Sequence, residues 1–235
     1  MIVKECIVDV LEDVLFVSTE FGNEYHSYGF IGNTAIPYAI GFVPVNYKQF
    51  TKPMHRDHFR DLVNRGIYIT PLTFAGNVAF KIERFNCMPD QYNLTWKEDP
   101  SALGGRTVNY PDEGWFKFIR RGNRGSFFTI SQHDDVPVPT YIRVGKFMSK
   151  CKITSTNIDH PVETGVANAN IILRAEDMPS DVSIIEHEKM PVQHGMYLKN
   201  CIFKGRHVAL RSKLLGAVNI PVNSSFYAAL GGAVA

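Results

Sequence analysis

Residues 141–153, YIRVGKFMSKCKI, carry Arg143, Lys146, Lys150 and Lys152, no carboxylate, and a glycine directly before a lysine. In an extended chain the side chains alternate, so Lys146, Met148, Lys150 and Lys152 are expected on one face. Phe147, Ser149, Cys151 and Ile153 are expected on the other. Ammonium groups about 7 Å apart on one face can neutralise a phosphate backbone, and Gly145 removes a side chain where that backbone would approach. The same text also describes a solvated edge strand that uses lysine against aggregation.

Neighbouring cations favour the phosphate reading. Between Trp115 and Lys152 there are eight basic residues, including Arg120, Arg121 and Arg124, against Asp134 and Asp135 alone. A later stretch adds Lys199, Lys204, Arg206, Arg211 and Lys213 with no acid between them. Trp115, Phe116, Phe127, Phe128 and Tyr141 lie among these cations, a mixture that stacks bases and neutralises phosphates. Core aromatics interleaved with surface charge would give the same pattern. The amino-terminal 30 residues hold Glu5, Asp9, Glu12, Asp13, Glu20 and Glu24 against Lys4, so a net charge of +2 is expected to divide into a positive and a negative side.

Signals for catalysis are weak. His55 and His58 stand three apart on a predicted helix, but no third metal ligand lies near them in sequence, and a solvated helix face explains them. His26, beside Tyr25 and Tyr28, could serve as the acid or base of a metal-free ribonuclease. Nucleophile-elbow, phosphate-loop and dinucleotide glycine motifs are absent from the sequence. Cys6, Cys87, Cys151 and Cys201 are widely spaced and form no C-x-x-C, which argues against zinc and against a disulfide framework and fits a reducing cytoplasm. No metal and no cofactor is expected. No apolar stretch approaches the roughly 18 residues of a membrane helix.

The elements that must position these residues are short. Thirteen prolines and 18 glycines are spread through 235 residues, and no repeat is visible. IVKECIVDV alternates as a strand, and HRDHFRDLVNRG is a helix with Phe59, Leu62 and Val63 on its apolar face and Gly66 as its stop. A short helix is expected near GNTAIPYAIG, limited by Pro37 and Gly41, and strands at IYIT and VAFKIERFN. Residues 90–140 have the composition of an insertion, with Trp115 to Arg120 and Phe127 to Ser131 as arms of a long hairpin around RGNRG. NANIILRA, GMYLKNCIF, RHVALRS and NSSFYAAL follow as further strands. The expected fold is α+β, one domain over residues 1–235 with more strands than helices.

STEFGNEYHSYGFIGNTAIPYAIG, GIYITP, GGRTVNYP, WFKF and above all PTYIRVGKFMSKCKI occur in an order that resembles the Csc-type branch of the Cas-five family. These are the backbone-capping subunits of type I-D CRISPR interference (Cascade) complexes. The resemblance implies an RRM-like (ferredoxin-like) palm of the repeat-associated mysterious protein (RAMP) superfamily, with an inserted β-hairpin thumb and extra carboxy-terminal strands. It also implies a non-catalytic, RNA-binding subunit that grips the five-prime handle of the crRNA and caps the filament of backbone subunits. The large subunit that reads the protospacer-adjacent motif, and target DNA near that motif, are further implied contacts. The positions that match are Asn33, Thr34 and Tyr38 in GNTAIPYA, Arg106 in GGR, and Arg143, Lys146, Ser149 and Lys150 in IRVGKFMSK; Lys152 and the three arginines above join them on charge alone. The chain departs from the family pattern at Gly32-Asn33, at Thr140-Tyr141, and at Leu215-Gly216-Ala217, where a longer glycine-rich loop is usual.

Two other readings stay open. One is a metal-independent endoribonuclease that processes precursor crRNA with His26, Tyr25 or Lys146. The other is a β-rich module whose apolar NSSFYAALGGAVA edge meets a protein partner.

Overall fold

A computed structural model describes residues 1–42, 55–87, 112–132, 135–192 and 195–222. In chain order the strands are β1 (Ile2–Val10), β2 (Val17–Phe21), β3 (Glu24–Ser27) and β4 (Phe30–Ile31), followed by helices α1 (Ile36–Ala39) and α2 (His55–Asn64). Next come β5 (Ile67–Ile69), β6 (Leu72–Phe74), β7 (Phe80–Cys87), β8 (Asp112–Ile119), β9 (Arg124–Ser131), β10 (Tyr141–Val144) and β11 (Ser149–Asn157). The last are β12 (Val162–Asn168), β13 (Leu173–Arg174), β14 (Ser183–Val192), β15 (Gly195–Ser212) and β16 (Gly216–Pro221). The described residues are mostly strand with few helices.

The strands form three sheets. The largest has seven strands in the order β10-β11-β1-β9-β6-β4, with β5 also on β9. A five-stranded sheet is built on β15, which pairs with β12, β13, β14 and β16. The four-stranded sheet runs β2-β3-β8-β7, with β3 and β8 parallel.

Helix α2 forms as its pattern requires. Phe59 and Leu62 are buried, Phe59 meets Tyr68 edge-on at 5.9 Å, and Gly66 ends the helix at φ +81°. The side chains of His55 and His58 lie outside the described residues, as does the NSSFYAAL strand.

The RGNRG hairpin is corrected. β8 and β9 do not pair: β8 runs between β3 and β7, whereas β9 lies between β1 and β5/β6 in the seven-stranded sheet. After Arg124, every residue of β9 is buried. A central strand covered on both faces shows no alternation, which is why RGSFFTIS resembles an inserted arm in sequence. The antiparallel hairpin partner of β8 is β7, and residues 88–111, including Arg106, lie between them outside the described residues. GMYLKNCIF and RHVALRS, expected as two strands, are one 18-residue strand that bridges its sheet.

The two-sided charge distribution is also corrected. β1 lies between β11 and β9, which sets Asp9 opposite both Lys152 and Arg124. Asp9 binds the Arg124 guanidinium at 2.9 Å. Asp13 accepts the Arg121 amide at 2.7 Å and approaches Lys81 at 3.2 Å. The Arg121 amide, more than Lys81, holds the Asp13 carboxyl below its ordinary range. Long-range strand pairing thus brings the acidic amino terminus into the basic region instead of opposite it.

Candidate nucleic-acid interface

Strands β10 and β11 form an antiparallel hairpin at the edge of the seven-stranded sheet. Its register sets Tyr141 opposite Lys152 and Arg143 opposite Lys150, so these four side chains share the exposed face. The alternate residues Ile142, Val144, Cys151 and Ile153 are buried. Burial pushes the Cys151 thiol up to about 12, as it does that of Cys6. Both are core residues and not ligands.

Within the exposed face, Lys150 Nζ stands 4.6 Å from the centre of the Tyr141 ring. A cation held over an aromatic face keeps its charge available while its stem is fixed. Neither Lys150 nor Lys152 makes an ion pair among the described residues, although Asp9 and Glu12 are nearby. Asp9 is engaged by Arg124, and Glu12 accepts the Lys150 backbone amide at 2.7 Å. Arg143 donates to the Met148 carbonyl at 2.9 Å and braces the turn between the strands.

That turn breaks the single row of lysines expected from sequence. Gly145 and Met148 both take positive φ, +78° and +55°, so residues 145–148 reverse the chain. Lys146 then leaves the Lys150/Lys152 face, and its Nζ lies 4.8 Å from the Tyr25 ring centre on the four-stranded sheet. Phe147, 59% exposed, leans on Phe116 and Phe118 at 5.9 and 6.1 Å. The cationic surface is therefore a patch across two strands, Arg143 with Lys150 and Lys152, and Lys146 stands around the corner.

Arg120, Arg121 and Arg124 line an open basin with Gly122, Asn123 and Asn77, and no carboxylate lines it. Its floor is fixed by Asn123, whose amide group donates to the carbonyls of Ala79 and Arg120 at 2.8 and 2.6 Å. Arg124 stands across Asp9 from Lys152, so the basin continues the hairpin patch with one carboxylate between them.

Two expected contact residues turn out to be internal. Ser149 is buried and donates to the Asp13 carbonyl at 2.7 Å, which ties the turn to the 11–15 segment. Asn33 is fully buried and donates to Asp177 at 2.6 Å, while Tyr197 donates to its side-chain oxygen at 3.4 Å. Neither side chain is open to solvent. Thr34 is half-buried beside the Tyr197 hydroxyl, and Tyr38 is half-buried on α1, which packs against β10. Of the three ribonuclease candidates two meet and one does not: Tyr25 on β3 faces Lys146 and Phe116, whereas the adjacent His26 faces the other way and meets Glu24 at 3.1 Å.

Sequence reasoning did not find the polar cluster beneath α1. Asp177 accepts hydrogen bonds from Asn33 and Tyr68 (3.2 Å) and lies 3.7 Å from Arg174. Burial outweighs these partners and raises the Asp177 carboxyl above its ordinary range. A raised acid is protonated more readily in the folded state, so its contribution to stability is complete below the unfolded value and is lost as pH rises through the folded one. Asp177→Asn should therefore become more stable relative to the parent as pH rises from the ordinary carboxylate value of about 4 toward neutrality. Urea unfolding at steps across that range checks it, and a constant difference would contradict it.

A profile of the family described as type I-D CRISPR-associated protein Cas5/Csc1 matches residues 1–229. Among solved structures, the chain is similar to a CRISPR protein from Archaeoglobus fulgidus, at 12% identity over 93% of this chain and 99% of that one, with a TM-score of 0.43. It is also similar to a chain in the type III-B Cmr-beta structure bound to cognate target RNA and AMPPnP. That match has 12% identity over 85% of this chain and 86% of that one, again with a TM-score of 0.43. No curated protein matches the sequence.

Proposed function

Because the chain belongs to the type I-D CRISPR-associated Cas5/Csc1 family, we propose that this CRISPR subunit holds the five-prime handle of the crRNA on the β10/β11 face. In this reading it caps the filament of backbone subunits and meets the large subunit. The observation that carries the reading is the edge patch of Arg143, Lys150 and Lys152 beside Tyr141, whose two lysines form no ion pair among the described residues. An exposed patch of cations with an aromatic ring suits a backbone phosphate with a base nearby. The Arg120/Arg121/Arg124 basin extends the same track. The seven-stranded sheet then corresponds to an RRM-like palm, and the β7/β8 hairpin, instead of β8/β9, to the thumb.

The subunit acts without catalysing a reaction. This reading is supported by the placement of His26, which lies on the opposite face of β3 from Tyr25 and Lys146, so the imidazole does not join the other two residues that suggested a ribonuclease.

The test is handle-RNA binding by Lys150→Ala/Lys152→Ala across a salt series. Each phosphate contact removed should flatten the log–log salt dependence by about 0.7. The pair should thus lose about 1.4 units of slope and at least tenfold in affinity at physiological salt. An unchanged slope would refute the phosphate track. Cleavage of repeat RNA in EDTA that disappears with His26→Ala would restore the enzyme.

A further inference from the structure

One exposed carboxylate interrupts the cations of the seven-stranded sheet. Tyr141 on β10, Lys152 on β11, Asp9 on β1 and Arg124 on β9 stand opposite one another in register, so their side chains form a single row across one face of four strands. Arg143 and Lys150 follow in the next row of the hairpin, and Arg120 and Arg121 share the basin with Arg124. Of the two carboxylates on this face of the four strands, Glu5 is buried and Asp9, 36% exposed, is not.

A carboxylate set between two groups of cations repels the phosphates that they attract, so it opposes RNA binding unless it meets some other part of the strand. Its ion pair with Arg124 Nε, at 2.9 Å, joins two partly exposed groups, and such pairs contribute little to folding. That contact also leaves Asp9 with acceptor capacity, because an ionised aspartate offers about four lone-pair positions. Neighbouring strands lie about 4.8 Å apart, so Lys152 and Arg124 are roughly 10 Å apart at the backbone with Asp9 midway. Two long cationic side chains at that spacing serve consecutive phosphates of one extended strand. The group between consecutive phosphates is the sugar. In RNA the sugar carries a 2′-hydroxyl that donates as well as accepts, and in DNA the same carbon carries only hydrogen.

We infer that Asp9 accepts a hydrogen bond from a ribose 2′-hydroxyl of the bound strand and makes this face selective for RNA over DNA. The assignment rests on the β10/β11 face seating the crRNA handle, and adds to that reading a residue that discriminates between sugars. Over RNA the carboxylate gains a partner. Over a deoxy strand it is covered without one, and a charged acceptor deprived of solvent is penalised. The cations set how tightly a strand is held, and Asp9 sets which kind.

The test uses the full chain and one handle sequence synthesised in three forms. These are the RNA, its 2′-deoxy counterpart with uracil retained, and its 2′-fluoro counterpart, which keeps an RNA-like sugar pucker but cannot donate. The parent is expected to bind the RNA at least about tenfold more tightly than either of the others, the size of one hydrogen bond to a charged acceptor. In Asp9→Ala that preference should fall about tenfold, and the deoxy form should bind no more weakly than to the parent, because the unpartnered carboxylate is gone. Asp9→Asn fills the same space and keeps an acceptor without the charge, so its preference should fall only about threefold.

Equal weakening of all three forms in Asp9→Ala would mean that the carboxylate only seats Arg124, and equal tightening that it only repels phosphate. Either result would overturn the inference. A 2′-fluoro strand bound by the parent as tightly as the RNA would overturn it too, since the preference would then follow sugar shape. Lys150→Ala/Lys152→Ala distinguishes these failures from failure of the underlying reading. If that pair leaves affinity and salt slope unchanged, no strand lies on the face and both readings fall. If it weakens all three forms while Asp9→Ala leaves their ratio unchanged, only the role of Asp9 falls. Asp9 is partly exposed near the end of β1, so its variants are expected to fold.

Discussion

Gly145→Val is expected to destabilise the protein by about 4 kcal/mol and to release Lys146 from the Tyr25 ring. Two physical terms add. Gly145 sits at φ +78°, where a side chain costs about 1–2 kcal/mol and a β-branched one more. A Cβ there would also lie 2.5 Å from the Leu15 carbonyl oxygen, a backbone atom that cannot swing aside. That carbonyl accepts the Lys146 amide at 2.9 Å, so relieving the clash breaks the bond that seats the turn. Lys146 then leaves the Tyr25 ring and Phe147 leaves Phe116. Gly122 is the internal control: at φ +89° it has the same backbone conformation with nothing within 4 Å of its Cβ position. Gly122→Ala should cost only about 1 kcal/mol. Urea unfolding of both variants measures the difference, and equal costs would show that the Leu15 contact is unimportant.

What the sequence revealed and what it hid follow from one distinction. Features set by neighbours in the chain were legible. Helix α2, with Phe59 and Leu62 inward and Gly66 at its end, is a local pattern, and so is the alternation that turns Lys150 and Lys152 outward over Cys151 and Ile153. Features set by distant segments were not. β9 lost its alternation because sheets and loops from elsewhere cover both of its sides. Asn33 and Ser149 have the polarity of ligands, yet they are buried against Asp177 and the 11–15 segment, and burial is not written in polarity. The Gly-Lys pair suggested a strand with close access to its backbone, whereas Gly145 takes a left-handed turn that sends Lys146 to another sheet. In WFKF both alternate sets contain an aromatic ring, so only the pairing with β3 and β7 shows that Trp115 and Lys117 share an exposed face.

Glu5→Ala is expected to be the other severe substitution, costing about 3–5 kcal/mol although it deletes a charged residue from a strand. Glu5 lies at 1% exposure in the middle of β1, where a carboxylate is costly unless its oxygens are occupied. They are occupied by groups from two sheets. Ser126 on β9 donates at 3.1 Å, and from the end of β15 the Ser212 hydroxyl and the Lys213 amide, at 3.0 Å, also donate. Ser212 in turn accepts the amides of Leu214 and Leu215 at 3.1 and 2.8 Å, so one carboxylate holds the β15–β16 turn against the seven-stranded sheet. Truncation leaves the Ser126 and Ser212 hydroxyls and the Lys213 amide without their acceptor. Each buried orphan costs about 1–3 kcal/mol, less what a water entering the vacated space restores. Replacing the donors along with the acceptor separates this mechanism from simple loss of packing. Glu5→Leu combined with Ser126→Ala should recover about a third of the loss, because one of the three orphans vanishes with the acceptor. Ser212 must be retained in that combination, since its oxygen caps the turn. Denaturant unfolding of the single and combined variants gives the coupling between positions 5 and 126 directly. Strictly additive losses would mean that the carboxylate acts by filling space and not by binding the two sheets together.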